Sequence, residues 1–177
     1  MNRKYIADTN RLLLRELEPA DAEAFYKLNA NPKVIKYTGD KPFSSVSETR
    51  SFIENYKHYK LNGYGRWAVI EKTSQKFIGF CGLKKNEEGL VDLGFRLLEE
   101  TWGKGYATEA AYAAIDIGFN KFDIPAIIGR ADRENIASIK VLKKLGMQFW
   151  KQGTTIHINK AVYYKIEKSD FRKQKNK

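Results

Sequence analysis

The residues best placed to do chemistry lie between Leu90 and Thr108. A strand-like run, Leu90-Val-Asp-Leu-Gly-Phe-Arg-Leu-Leu98, leads through Glu99-Glu-Thr101 into the turn Trp102-Gly-Lys-Gly-Tyr-Ala-Thr108 and on into an alanine-rich helix. The first N–H groups of a helix have no internal partner, and the helix dipole favours negative charge beside them. Glycines at 103 and 105 ahead of such a helix therefore predict an anion site, above all for phosphate. Two common phosphate motifs do not fit. A P-loop needs Gly, four residues and then Gly-Lys-Ser/Thr, a string this chain lacks. A dinucleotide fingerprint needs a third Gly or Ala where Thr108 stands, and an early strand before it. Taken alone, Gly103-Lys-Gly105 also suits a purely structural turn.

Other reactive side chains are few. The single cysteine, Cys81, excludes an internal disulfide and a cysteine-based zinc site, and reads as a small buried hydrophobe. The two histidines, His58 and His157, have no acidic cluster near them in sequence, so no metal is expected. His58 falls on a helix and reads as a surface residue. His157, in the loop before the last strand, could border a substrate pocket. Trp67, Tyr64, Phe43 and Tyr37 could line that pocket or pack in the core.

These residues need elements to hold them. Arg11–Arg15 is strand-like, and Glu18-Pro19 opens a helix carried by Ala22, Phe25, Tyr26 and Leu28 to about Ala30, where Asn31-Pro32 ends it. Val34, Ile35 and Tyr37 predict another helical turn before the loop Gly39–Phe43. Ser45-Val-Ser-Glu48 has capping-box spacing, and the apolar face of Val46, Phe52, Ile53, Tyr56 and Tyr59 continues a helix to Leu61. Gly65–Glu71, Phe77–Leu83 and Leu90–Leu98 follow as strands joined by hairpin-length turns, with Gly79 and Gly82 marking a bulge or a close backbone approach. The helix from Tyr106 to about Phe119 carries a small-residue face of Ala107, Ala110, Ala111, Ala114 and Gly118. Ala126–Ala131 reads as a strand, Asn135 to Leu145 as a helix stopped by Gly146, and Phe149–Gln152 and Ala161–Lys168 as closing strands. The pattern predicts one mixed α/β (α+β) domain over residues 1–177, with a core at about 10–171 and a basic tail.

Composition bounds the rest. At 177 residues, 42% hydrophobic and 13% aromatic, the chain is globular. The polar opening Met1-Asn-Arg-Lys4 and the lack of a long apolar run carry the expectation of no signal peptide, no membrane partner and a cytoplasmic location. A net charge of +11 calls for an acidic partner without naming one. Part of the excess, Lys165, Lys168, Arg172, Lys173, Lys175 and Lys177, reads first as a solvated tail, with nucleic acid or an acidic protein surface as the lesser alternative.

The glycine turn resembles the acyl-CoA-binding motif of the GNAT N-acetyltransferase superfamily, Gln/Arg-x-x-Gly-x-Gly/Ala. Trp102-Gly-Lys-Gly105-Tyr-Ala107 matches it except for Trp102 at the first position. With Tyr106-Ala-Thr-Glu-Ala110 it is similar to the branch that acetylates ribosomal-protein N-terminal alanines. Thr9-Asn-Arg-Leu-Leu-Leu-Arg15 with Asp21, Asn135-Ile-Ala-Ser138 with Lys144-Leu-Gly146, and Val162-Tyr-Tyr-Lys-Ile166 resemble further segments of that branch.

The resemblance implies a GNAT acyl-CoA N-acyltransferase fold. That fold is a mixed, mostly antiparallel sheet with flanking helices, whose fourth and fifth strands, here Leu90–Leu98 and Ala126–Ala131, splay apart for the pantetheine arm of acetyl-CoA. It implies direct attack of a primary amine, on a small molecule or a protein N-terminus, on the thioester carbonyl. Gly103, Lys104, Gly105, Tyr106, Ala107 and Thr108 would hold the pyrophosphate, and the backbone of Phe95, Arg96 and Leu97 would meet the thioester. Asn135 would cap its helix and bond the cofactor's amide, and Ser138 would face the departing sulfur. Asp92, which shares a strand face with Gly94, would serve as the base. The tyrosine that many members use to protonate the thiolate is replaced by Leu142. That loss and the positive charge motivate the alternative of a non-catalytic acyl-CoA-binding or nucleic-acid-associated module. Either a monomer or a homodimer is compatible with the sequence.

Overall fold

The computed structural model describes residues 5–175; Met1–Lys4 and Lys177, on which the leader and tail readings partly rest, lie outside the described residues. Eight strands form one sheet: β1 (Ala7–Asp8), β2 (Leu12–Arg15), β3 (Arg66–Glu71), β4 (Phe77–Lys85), β5 (Val91–Leu97), β6 (Ala126–Asp132), β7 (Gln148–Gly153) and β8 (Ala161–Glu167). Their spatial order is β1-β2-β3-β4-β5-β6-β8-β7. Every pairing is antiparallel except β5 with β6.

Period-2 alternation divides the strands between two helical layers. Leu12, Leu14, Trp67 and Val69 face a core that also holds Ala110, Ala111 and Ala114 of α5 (Tyr106–Asn120), Leu142 of α6 (Ile136–Lys144) and Phe171 of α7 (Lys168–Lys175). Leu13, Ala68 and Ile70 face the other way, onto Phe25 and Leu28 of α1 (Ala22–Ala30) and Ile53 of α3 (Val46–Glu54). The small face of α5 brings its backbone close to the sheet: a Cβ on Gly118 would stand 2.7 Å from Leu83 Cδ1. Of two further short helices, α2 (Pro32–Ile35) packs Val34 against the α1–α3 cluster and α4 (His58–Asn62) packs Tyr59 against the other core.

Several elements depart from the sequence reading. The helix expected to run to Leu61 breaks after Glu54, because two tyrosines beyond the break are recruited by the sheet. Tyr56 Oη accepts from Arg66 N at 2.8 Å, while Tyr59 Oη accepts from Leu17 N at 3.1 Å and donates to the Arg66 carbonyl. The capping box is half formed. Ser45 Oγ accepts from Glu48 N, but the Glu48 carboxylate takes the N–H and hydroxyl of Ser44. The start of the basic tail is helical, with Phe171 buried against Phe119 at a 5.2 Å ring separation. Gly79 and Gly82 show both expected features: the β3·β4 register shifts beside Gly79, and a Cβ on Gly82 would meet the Gly65 carbonyl oxygen at 2.1 Å. No helix among the described residues is long and apolar enough to cross a membrane.

The anticipated splay is present. With β1 added ahead of the predicted strands, the fourth and fifth become β5 and β6. Each is seven residues long, yet they share only Asp92↔Ile128 and Leu93↔Gly129 before diverging.

Candidate active site

The turn before α5 is built as an open set of donors. Gly103 and Gly105 have φ of +75° and +80°, the left-handed region that glycine enters without a Cβ penalty. The first bond at this end runs from Glu109 N to Gly105 O, so the N–H groups of Gly105, Tyr106, Ala107 and Thr108 have no partner among the described residues. Arg11 holds the turn from below: Nη1 donates to Lys104 O at 2.8 Å, and Nε pairs with Glu109 at 2.7 Å. Burial pushes the Glu109 carboxyl up, but bonds from Thr9 and Arg11 outweigh it and leave it below the usual range. The Tyr106 ring lies under the Arg11 guanidinium and its hydroxyl donates to Glu71 at 2.6 Å, so only its backbone faces the anion position.

The gap between β5 and β6 opens beside that turn. Leu98 N donates to Ile78 O across β4, and two-residue alternation aims the N–H groups of Arg96 and Gly94 the same way. Phe95 and Leu97 consequently present theirs to the gap. Trp102 Nε1 donates to Leu97 O at 2.9 Å, tying the glycine turn to the end of the splayed strand. Opposite, Asn135 Oδ1 caps α6 through Ser138 N at 3.1 Å. The Ser138 hydroxyl has no protein partner among the described residues. Leu142 packs on Gly129, whose added Cβ would meet Leu142 Cδ1 at 3.2 Å.

One cavity of about 710 Å³ runs from this gap to the α1–α3 side of the sheet. Phe95, Asn135, Ser138 and Leu142 line the gap end, and Phe25, Phe43, Phe52, Tyr56 and Phe80 the far end. Phe25 stacks on Phe80 at 5.5 Å, and Phe43 lies 5.3 Å from Phe52. Two loops meet at the cavity edge, where Gly39 (φ +68°) abuts the His157 backbone. His157, Tyr37 and Phe43 therefore border the cavity, whereas Trp67 and Tyr64 are core. His58 is partly covered by Tyr56, at a 5.0 Å ring separation.

Asp92 sits in the cavity wall and is buried. Its Oδ2 accepts from Arg130 Nη2 at 3.0 Å and Arg66 Nη2 at 3.4 Å, while Oδ1 has no protein partner. Burial is the largest influence on this carboxyl and pushes it up; the two guanidiniums pull the other way. Gly94 makes the arrangement possible, since a Cβ there would stand 2.5 Å from Arg66 Cζ. Arg66 is pinned further by donating to the carbonyls of Gly82 and Asp92 at 2.5 and 2.7 Å. Arg130 also pairs with Glu87 at 2.8 Å. The Arg96 side chain alternates to the Asp92 face, where it donates to Asn29 and pairs with Asp40 at 2.6 Å.

Sequence reasoning missed Arg66 and Arg130. The available signal was an arginine beside the apolar run of each of two strands, Arg66-Trp-Ala-Val-Ile70 and Ala126-Ile-Ile-Gly-Arg-Ala131. A largely desolvated arginine demands a carboxylate, and Asp92, on the strand beside β6 and one strand removed from β3, supplies it to both. Cys81 is buried and its thiol is pushed up to about 12, which leaves it unreactive. No group of three or more His, Cys, Asp or Glu able to hold a metal occurs among the described residues.

The acetyltransferase (GNAT) domain model matches residues 11–148. An uncharacterized N-acetyltransferase of Bacillus licheniformis, p20, is 35% identical over 156 residues, which cover 86% of this chain and 86% of that protein. The spermidine N(1)-acetyltransferase of Escherichia coli is 27% identical over 156 residues, covering 81% of this chain and 75% of that protein. The crystal structure of a GNAT-family acetyltransferase from Bacillus anthracis superposes with a TM-score of 0.79 at 28% identity, covering 92% of this chain and 98% of that one. These relatives set aside the non-catalytic alternative. A strand pair that splays beside an open helix start is thus the family's architecture: the chain belongs to the GNAT acetyltransferases, and it is an acetyltransferase enzyme.

Proposed function

We propose that this enzyme carries an acetyl group from acetyl-CoA to a primary amine by direct attack of the amine on the thioester. The observation that carries this reading is the single cavity joining the β5/β6 gap to the aromatic end, with a buried, unpartnered carboxylate oxygen of Asp92 in its wall. The free N–H groups at the start of α5 suit the pyrophosphate without spending a side-chain charge. The gap-facing N–H groups of Phe95 and Leu97 suit a carbonyl oxygen that gains negative charge. Asn135 and Ser138 border the same gap, Asn135 beside the pantetheine amides and Ser138 beside the sulfur.

Asp92 is the proposed base. A carboxyl raised by burial is better matched to taking a proton near neutral pH than an ordinary aspartate. Its Oδ1 accepts the ammonium proton directly or through one water. With leucine at 142, a thiolate whose free pKa is about 8.5 leaves with little help, and the Ser138 hydroxyl is the nearest proposed donor to it. The acceptor is either a small amine, as the name of the E. coli relative says of that protein, or a protein N-terminus, as the resemblance to the ribosomal-protein branch implies.

The test is an amine panel incubated with acetyl-CoA, with free thiol followed by absorbance and the product by mass. Thiol release that requires an amine, together with an N-acetylated product, is expected. Tight CoA binding with no turnover on any amine would refute the proposal.

A further inference from the structure

The charges around the cavity are the wrong sign for a polyamine. Five cationic side chains line it, Lys41, Arg66, Lys84, Arg96 and Arg130, against three carboxylates, Asp40, Asp92 and Asp132. Two of the three are already engaged: Asp40 pairs with Arg96, and Asp92 with Arg66 and Arg130. Asp132 accepts the Glu134 N–H at 2.8 Å in the turn before α6. An acceptor with several ammonium groups would meet net repulsion here.

Three features remain unused by acetyl-CoA. Lys84 stands directly across from Asp92 in the β4·β5 register, lines the cavity and has no carboxylate partner among the described residues. The buried Oδ1 of Asp92 lacks a hydrogen-bond donor. Phe52, whose ring packs against Phe43 and Phe25, is still 41% exposed, so the far end of the cavity retains apolar surface to cover. A cation for an anion, an acceptor for an ammonium and an aromatic wall for an apolar group make one three-point site.

Resting on the acetyl-CoA-dependent reading above, we infer that the acceptor is a free α-amino acid with an apolar side chain, of which L-phenylalanine is the probe. Its carboxylate meets Lys84, its amino group meets Asp92 Oδ1 near the β5/β6 gap, and its side chain covers Phe43, Phe52 and Phe80. The transfer forms the N–C amide bond and breaks the thioester C–S bond; of the two protons the ammonium loses, the first goes to Asp92 before attack and the second, from the nitrogen after attack, goes to the departing thiolate, which leaves with the bonding electron pair.

The experiment compares L-phenylalanine, L-phenylalaninamide, phenethylamine and spermidine as acceptors for the full chain at saturating acetyl-CoA. L-Phenylalanine is expected to have the highest kcat/KM and spermidine the lowest. In Lys84→Met the KM for L-phenylalanine should rise about fivefold, the equivalent of one exposed ion pair, while the KM for the amide stays within about twofold. Lys84→Arg should restore the KM for L-phenylalanine. Lys84 is exposed, so neither substitution threatens the fold. Spermidine as the best acceptor, equal use of acid and amide, or an equal rise in both KM values would overturn the inference and leave the acetyl-transfer reading standing. No thiol release with any amine would overturn that reading, and this inference with it.

Discussion

Removing one guanidinium from Asp92 should move the acid limb of the reaction's pH profile upward. Arg130 Nη2 lies 3.0 Å from Asp92 Oδ2, and the two side chains are 16% and 9% exposed, so solvent screens the pair weakly. At that distance and an effective dielectric constant of about 20, the attraction is about 5 kcal/mol. Arg130 also desolvates Asp92 and shares its charge with Glu87, which reduces the net effect. Carboxylates beside an arginine shift by roughly 1–3 pKa units, and that is the range to expect in Arg130→Gln. The sign follows from the state that works: a base must be ionised, arginine favours the ionised form, and its loss means that a higher pH is needed for the same rate. The assay is kcat/KM against pH with two acceptors of different basicity. A limb belonging to the amine moves with the acceptor; one belonging to Asp92 moves with the substitution. Asp92→Asn should abolish the second limb. An acid limb that stays in place or moves down in Arg130→Gln, or that survives in Asp92→Asn, would refute the assignment of Asp92 as base.

Three further substitutions probe the scaffold of the site. Gly94→Ala puts a methyl group 2.5 Å from Arg66 Cζ, so the guanidinium must leave Asp92 and the acid limb should again rise, with thermal stability measured in parallel. Gly105→Ala forces a Cβ into a left-handed residue at φ +80°, at about 1–2 kcal/mol, and turns the open N–H groups. The KM for acetyl-CoA should increase in titrations while the amine KM holds. Glu109→Gln removes a carboxylate held below its ordinary value of 4.5. A depressed carboxylate stabilises the fold fully above that value and ceases to as the pH falls through its folded pKa. The variant should therefore melt about 2–4 °C lower at pH 7 by calorimetry, with the difference vanishing in acid.

Much of the proposed donor side was legible because backbone chemistry leaves a sequence trace. Glycines at 103 and 105, an asparagine cap at 135 and the small face of α5 are local requirements, and local requirements fix residue types at fixed spacings. The proposed acceptor side left little trace because it is assembled by tertiary contacts. The break after Glu54 cannot be read from helix periodicity, since it arises when Tyr56 and Tyr59 reach the backbone of Arg66. The one sequence mark of α7 is Phe171, a large aromatic in a basic tail. Arg66 and Arg130 were visible as arginines beside apolar runs, but their convergence on one carboxylate depends on β3, β5 and β6 lying in one sheet with the Gly82–Gly94 pair between Arg66 and Asp92.

The cations around Asp92 also bear on how the amine becomes a nucleophile. An alkyl ammonium with a pKa of about 10 is neutral in only about one part per thousand at pH 7. Neighbouring positive charge disfavours the ammonium, and each unit by which its pKa falls raises the neutral fraction tenfold. Arg66 and Arg130, both held on Oδ2 of Asp92, act in that direction on an amine bound beside Oδ1. The positive surroundings and the base are then two parts of one device: the field lowers the cost of losing the proton, and the carboxylate supplies somewhere for it to go. A polyamine would weaken the device by bringing further ammonium groups into the same field. An acceptor with a single amine, whose carboxylate offsets the charge of Lys84, can enter it. Under the proposed reaction, the charges that select the acceptor are therefore the ones that prepare it.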